Sequence, residues 1–396
     1  MMALLIDFGL VGISFFWLHL VFRVILSQKR FPLIDDVEPT SLDFPLISVI
    51  MPCKDEETSV SQSIEKLFQS DYPHLEVIAI NDRSKDLTGE RLDQAKSNYQ
   101  DRLTVVHNET LPPGVLGKVH ALQLGLTNAK GEYVLLMDGD VFLQKETLKK
   151  SIFAAKSKNL DHLSILPHLI TDTALEKAMN ATFFVLLSIA LNLYEANHPK
   201  KKTAMGAGAF TLLRTSFLKK HNLLDKVKLE VIEDVALAYL TKQLGGRSFV
   251  YDTREQVKVR FQQGITGLIK GTEKNTFSGI HYSYAMLLVS SLGLILLAVL
   301  PFFALLNGLT GAFLFCLILV MQMIVFQKTL TWTPFYGAIV FPAGAILMVI
   351  SLWRSAIAFF KNKGIVWRET FYSATDLKKG KVLPPPWHFL GKSKIR

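Results

Sequence analysis

The sequence predicts an alternating α/β domain of buried, parallel strands, held between hydrophobic regions suited to a lipid bilayer. Three observations carry that expectation. From Pro45 to about Phe261, short β-branched runs alternate with polar stretches of helical period. Outside that window lie apolar runs long enough to span a membrane, at residues 4–26 and again beyond Tyr284. Composition agrees: 49% hydrophobic residues and a mean hydropathy of +0.28 are high for a soluble enzyme.

At 396 residues the chain accommodates one sizeable globular domain and a membrane region. Residues 4–26 contain only Asp7, His19 and Arg23 as titratable groups and match a hydrocarbon core of about 30 Å. A cleaved signal peptide competes with that reading, but the apolar stretch is too long and no small-residue cleavage site precedes Ser27-Gln28-Lys29-Arg30. Residues 1–28 are therefore read as a retained transmembrane anchor, and 29–44 as a linker. Strands are expected at 47–51, 75–80, 103–107, 133–137 and 162–166, within a domain running over 45–263. Parallel strands of this kind bring ligand-binding loops to one edge of the sheet.

Two later segments are unusual for a soluble domain. Residues 181–193 are almost uncharged, which suits a core helix and a bilayer-touching helix alike. Residues 264–280 mix Ile265, Leu268, Ile269 and Phe277 with Lys270, Lys274 and Asn275, the pattern of an interfacial amphipathic segment. Apolar runs at 284–306 and 311–326 flank the turn Asn307-Gly308-Leu309-Thr310, and a third at 335–360 carries Pro342 and Arg354. The region 281–360 is thus expected to hold two to three spans. Charge complicates the count. Lys29 and Arg30 belong on the cytoplasmic face, and so does the tail 361–396, which has nine basic and two acidic residues within a chain of net charge +10. Three C-terminal crossings would separate them, so one segment, either the one holding Pro342 or a member of the 284–326 pair, is expected to be re-entrant or interfacial. A basic tail beside a span favours anionic lipid, and no nucleic-acid partner is expected. Cys53 and Cys316 form no disulfide framework, which fits a catalytic domain in a reducing compartment. A channel or transporter is disfavoured, because Arg354 is almost alone as an ionisable residue in the C-terminal runs.

The residues that carry chemistry fall at strand ends. Asp138-Gly139-Asp140 follows the apolar Val134-Leu135-Leu136-Met137, and strand alternation turns both carboxylates to one side. Hard oxygen donors there suit a divalent cation carrying a diphosphate. Gly117-Lys118 opens a probable helix upstream. Met51-Pro52-Cys53-Lys54-Asp55-Glu56-Glu57 suits the base and ribose of a nucleotide, or equally a solvated helix start. In Asn81-Asp82-Arg83-Ser84-Lys85-Asp86, Asp82 suits a nucleoside contact and Ser84 or Asp86 a helix cap. Ala204-Met205-Gly206-Ala207-Gly208-Ala209-Phe210 lets main chain approach a substrate, but lacks the Gly-Lys-Ser/Thr ending of a phosphate cradle. Glu230, Glu233 and Asp234 lie in a helical pattern; such acids decorate helix starts, and one poised over a sugar acts as a general base.

In this order the motifs resemble those of the family 2 glycosyltransferases, particularly the membrane-anchored branch related to ceramide glucosyltransferases and polysaccharide synthases. Pro52-Cys53-Lys54-Asp55-Glu56 is similar to that family's Pro-Ala-x-Asn-Glu, and the run from Asn81 to Thr88 to its Asp-x-Ser-x-Asp-x-Thr. The stretch from Gly117-Lys118 to Gly125 is similar to Gly-Lys-x-x-Ala-Leu-Asn-x-Gly, with Gln123 for Asn. Asp138-Gly139-Asp140 then stands at the metal motif and Glu233-Asp234 at the catalytic pair. The resemblance covers roughly residues 45–280. It implies a GT-A, Rossmann-like nucleotide-sugar domain inserted between an N-terminal transmembrane helix and a C-terminal bundle of transmembrane or interfacial helices.

It also implies an inverting, metal-dependent transfer from a nucleotide-diphosphate sugar, a UDP-sugar first of all, with Mg2+ or Mn2+. Asp138 and Asp140 would hold the metal. Pro52, Glu56, Asp82, Lys118, Asp138 and Arg260 would meet the donor, and Asp234 with Glu233 would be catalytic. One departure concerns the branch's Gln/Arg-x-x-Arg-Trp, which reads Val257-Lys258-Val259-Arg260-Phe261 here. Loss of that Trp counts against chain elongation. A domain tethered on both sides suits a lipid acceptor at the cytoplasmic face of a bacterial plasma membrane; a polysaccharide synthase and a non-catalytic scaffold are the alternatives. Gly364-Ile365-Val366-Trp367-Arg368-Glu369-Thr370-Phe371-Tyr372 is similar to the branch's Trp-Lys-Gly-Arg-x-Tyr tail, which supports a cytoplasmic C-terminus.

Overall fold

The computed structural model describes residues 2–27, 31–40, 43–260, 264–385 and 388. Lys29, Arg30, Phe261 and the end of the basic tail lie outside them. Ten strands build the central domain: β1 (Ile47–Cys53), β2 (Leu75–Asp82), β3 (Leu103–Asn108), β4 (Tyr133–Leu136), β5 (Val141–Leu143), β6 (His162–Ile165), β7 (His168–Leu169), β8 (Thr211–Arg214), β9 (Ser248–Tyr251) and β10 (Val257–Val259). Seven of these form one sheet in the order β3-β2-β1-β4-β8-β6-β9, and β5-β10-β7 form a smaller one. The five expected strands each begin at the expected residue. The β-branched runs of β1, β4 and β6 are buried on both faces, as a sheet covered by helices requires, while β3 at the sheet edge is only partly buried.

Direction needs one correction, because β8 runs antiparallel to both β4 and β6 and the main sheet is mixed. The chain reaches β8 from the loop 204–210, whose Gly208 carbonyl accepts from the Asp138 amide just beyond the end of β4. A strand entering from the carboxyl edge of its neighbours must run against them.

The helices follow the apolar spacing. α1 (Met2–Ser27) is the N-terminal apolar helix. α2 (Val60–Phe68) buries Val60, Ile64 and Leu67 on one face. α3 (Thr88–Tyr99) packs against β3, α4 (Gly117–Asn128) across β1 and β2, and α5 (Thr147–Ser157) beside β6. α6 (Ala174–Ala190), α7 (Thr215–Lys220), α8 (Leu223–Lys226) and α9 (Glu233–Gln243) complete the domain. The linker is held against it. The Ile34 amide donates to the Asp252 carbonyl, and the Asp35 carboxylate accepts from the Thr253 hydroxyl at 2.8 Å.

Beyond the domain come α10 (Gly264–Gly279), α11 (Tyr284–Phe303), α12 (Gly308–Thr329) and α13 (Gly337–Asn362). Among the described residues, three apolar helical segments have the length and composition to cross a membrane: Asp7–Ser27, Tyr284–Thr329 and Gly337–Asn362. The second is divided by a tight turn at Ala304–Asn307 and by Gly308 at φ 62°, so α12 doubles back along α1. A β-hairpin of β11 (Gly364–Trp367) and β12 (Thr370–Ser373), then α14 (Ala374–Lys379), follow α13.

Candidate active site

A cleft opens where β1 and β4 end and where α4 and α9 begin, with the loop 204–210 across it. Pro52, Lys118, Asp138, Gly208, Glu233 and Asp234 line it. Lys118, in the first turn of α4, reaches across, and its Nζ lies 2.7 Å from Asp138 Oδ1 and 2.8 Å from Glu233 Oε1. Glu233 and Asp234 open α9, where the helix dipole and free amides favour carboxylates. Asp234 is pinned there, because its Oδ2 accepts from the Gly208 amide at 2.9 Å and its Oδ1 from the Val235 amide at 2.8 Å.

The small residues of the loop explain how it comes so close. A Cβ on Gly208 would lie 2.8 Å from Asp138 Oδ2 and 2.9 Å from Lys118 Nζ, and one on Gly206 would overlap the main chain of Asp234. The loop is therefore a spacer that lets Asp138, which precedes it in the chain, and Asp234, which follows it, share one pocket.

Charge in the cleft is unbalanced. Burial alone would lower the Lys118 ammonium's pKa, but Asp138, Glu233 and Asp234 outweigh it and hold the group above its ordinary value. Burial, then the charges of Asp138 and Glu56, push the Asp140 carboxyl up to about 7. Asp234 is raised by burial and by Glu233 beside it, against the pull of Lys118. Burial, followed by Glu56, Asp138 and Asp140, pushes the Cys53 thiol up as well, so it stays protonated and is no nucleophile.

This crowding of acids is what a divalent cation would relieve. No group of three His, Cys, Asp or Glu side chains among the described residues makes a complete cage. A hard cation held by one or two carboxylates plus diphosphate oxygens needs no such cage, and the donor set of Asp138 and Asp140 fits that partial shell. Lys118 neutralises Asp138 from the other side.

At the far end of β2, Asp82 is satisfied by its own neighbours. Its Oδ1 accepts from Arg83 Nε at 2.9 Å and Asn108 Nδ2 at 2.8 Å, and its Oδ2 from Arg83 Nη2 at 2.8 Å. Asp86 caps the start of α3 through the Thr88 amide at 3.0 Å, and its other oxygen accepts from the Glu57 amide at 3.0 Å, tying the two acidic turns together.

Over these turns sits the C-terminal hairpin, which sequence reading used only to argue topology. Arg368 donates to the Lys54 carbonyl and to Glu56 Oε1, the latter at 3.1 Å. Arg83 Nη1 donates to Thr370 Oγ1 at 3.2 Å, and the Gly117 amide to the Tyr372 hydroxyl at 3.0 Å. Arg368 at φ 45° and Glu369 at φ 67° form the hairpin tip in left-handed conformation, which costs non-glycine residues about 1–2 kcal/mol each. Arg83, Asn108, Arg368 and Tyr372 are thus site neighbours that local sequence pattern missed. The only signal was the tail's own motif, which says nothing about a loop 255 positions away.

Arg260, expected to meet the donor, stands apart, as does the acid Glu230. Arg260 forks onto Asp172, at 2.7 and 3.0 Å, and does not meet the cleft residues. Glu230 is fully buried, with Lys381 Nζ 2.7 Å from its Oε1.

Residues 48–221 match the model of Glycosyl transferase family 2. An uncharacterized glycosyltransferase of Haemophilus influenzae is 32% identical over 122 residues, covering 31% of this chain and 36% of its own. A poly-beta-1,6-N-acetyl-D-glucosamine synthase of Staphylococcus epidermidis is 25% identical over 137 residues, covering 34% of this chain and 32% of its own. The chain therefore spans about a third of the length of the curated relatives it matches. Among solved structures, the mannosyltransferase PcManGT from Pyrobaculum calidifontis, in complex with GDP-Man and Mn2+, is similar with a TM-score of 0.57 at 17% identity, covering 90% of this chain and 99% of that one. At that identity the likeness is one of fold.

Proposed function

We propose that this chain, a family 2 glycosyltransferase by the match of residues 48–221, moves a sugar with inversion from a nucleotide-diphosphate sugar, a UDP-sugar first of all, to the hydroxyl of a membrane lipid. The reaction would take place at the cytoplasmic face of a bacterial plasma membrane. One observation carries the reading: Lys118, Asp138, Glu233 and Asp234 meet in a single cleft at the carboxyl edge of the sheet.

Asp234 accepts the proton of the acceptor hydroxyl as that oxygen attacks the anomeric carbon and the bond to the diphosphate breaks. Its raised pKa makes it a stronger base than an exposed carboxylate. Lys118 donates to diphosphate oxygens once a donor displaces it from Asp138, and Glu233 keeps its ammonium charged. Asp138 and Asp140 would hold Mg2+ or Mn2+, which supplies positive charge against the departing diphosphate. Pro52, Glu56 and Asp82 face the nucleoside end, closed by Arg368 and Tyr372 of the hairpin.

Placement supports the lipid acceptor. Ile232, two positions before Asp234, lies next to Gly279 at the end of α10, so the base sits near an amphipathic helix that leads into the apolar C-terminal helices. Likeness to the staphylococcal synthase favours a second reading, glycan chain elongation.

Replacing Asp234 with Asn tests the chemistry. Transfer should fall roughly 10²–10⁴-fold while nucleotide affinity holds, and unchanged turnover would end the assignment. Mass spectrometry of lipids from cells with and without the chain tests the acceptor. A new glycolipid is expected; a soluble polymer, or transfer to water-soluble sugars at equal rate, would replace this reading with another.

A further inference from the structure

We infer that α13 does not cross the bilayer but lies along its surface, half-immersed, as a floor beneath the catalytic domain. This rests on the membrane reading given above.

Both flanks of the helix are bonded to that domain. Just before it, the Thr331 amide donates to Asp252 Oδ2 at 2.7 Å and the Thr331 hydroxyl to the Thr253 carbonyl at 2.6 Å. Just after it, the hairpin grips Lys54, Arg83 and Gly117. Between those ends, Ser351 Oγ is 2.6 Å from Thr272 Oγ1, Ser355 Oγ accepts from the Phe277 amide at 3.3 Å, and Arg354 meets Glu273 at 3.2 Å. Near the start, Gly344 packs against Thr182 of α6.

A helix of 26 residues is about 39 Å long, more than a hydrocarbon core of about 30 Å. Crossing would carry one end that far from a domain to which both ends are tied. Nor is it re-entrant, since α13 stays continuous through Pro342 and has no turn at which to reverse.

The face turned away from α6 and α10 is apolar. Ile339, Ile346, Ile350, Trp353, Ile357 and Phe360 form one stripe at helical spacing, from 40% to 73% exposed. The stripe's occupant is the outer acyl-chain zone of the bilayer, because it adjoins α11, where the Trp353 indole donates to Ser291 Oγ at 3.1 Å, and α11, with Leu288 and Leu292 exposed, is a membrane span on the same reading. Lys361 and Lys363 at the helix end then lie at headgroup depth, where anionic lipid attracts them. With α11 and α12 passing out and back, the anchor's inner end, the domain and the tail all fall on one face.

Single cysteines at Leu306, Phe335 and Thr375, in a Cys316→Ser background with Cys53 buried, test the inference in the full chain. In sealed vesicles of either orientation, a membrane-impermeant maleimide should label 335 and 375 from the same face and 306 from the other. Labelling of 335 and 375 from opposite faces overturns the inference and leaves the membrane reading intact. Release of the chain by alkaline carbonate would remove both. Nitroxides on Ile339→Cys, Ile346→Cys and Ile357→Cys should report one common depth, whereas a depth changing steadily along the helix would refute it. Low accessibility to both oxygen and an aqueous quencher would seat a second copy on the stripe and equally overturn the assignment to lipid.

Discussion

Asp140 is the residue whose behaviour separates a metal site from a mere cluster of acids. Burial and the charges of Asp138 and Glu56 hold its folded pKa at about 7, well above an ordinary carboxylate, so at neutral pH it is only partly ionised. A cation must compete with that proton. Affinity for Mn2+ in the presence of nucleoside diphosphate should therefore fall as pH drops from 8 to 6, approaching tenfold per unit below about 7. Stability carries the matching sign: because the folded pKa is raised, stability at Asp140 is lost as pH rises through 7, and metal should raise the melting temperature more at pH 8 than at pH 6. Asp140→Asn should flatten both profiles; titration calorimetry and thermal shift would read them. A metal effect independent of pH would count against Asp140 as a ligand.

At the scale of elements, the C-terminal hairpin is where strain and contact coincide. Its tip holds two non-glycine residues in left-handed conformation, and the guanidinium so presented bonds both the Lys54 carbonyl and Glu56. Strain of that kind persists only where surrounding contacts over-determine it. Arg368→Ala should raise the donor KM about 10- to 100-fold, the worth of one charge-assisted hydrogen bond, and leave kcat closer to its original value. Steady-state kinetics would check it. A fall in kcat at unchanged KM would make the hairpin a brace for α4 through Tyr372 and Gly117, with no share in donor binding.

Across the whole molecule, the tail is a clamp between α10 and the segment that leads into α9. Lys381 and Glu230 are almost fully buried, Ser278 of α10 bonds the ammonium at 3.0 Å, and Glu230 Oε2 accepts the amides of Val382 and Leu383 at 2.9 and 3.2 Å. Asp234, in the first turn of α9, follows Glu230 by four positions of chain. Lys381→Met would leave a buried carboxylate without its counter-ion, a loss of about 3–5 kcal/mol. Denaturation in detergent should show it, and pairing the change with Glu230→Gln should restore much of the loss. A Lys381→Met protein as stable as the parent would show that the backbone amides satisfy Glu230 unaided.

The sequence by itself determined where five of the strands begin, the apolar helices and the residues at strand ends, because hydrophobic period and chain-local turn chemistry are written in consecutive positions. It singled out Asp138, Asp140, Lys118 and Asp234, of which Lys118, Asp138 and Asp234 line one cleft, and it set the C-terminal apolar segments against the charges beside them. Only the tertiary structure decided the reversed direction of β8, the pairing of Glu230 and Arg260 with partners outside the cleft, and the packing of a hairpin from the far end of the chain over Lys54, Arg83 and Gly117. Those choices depend on which surfaces meet across hundreds of positions, where burial and unpaired charge select among partners that no local pattern distinguishes.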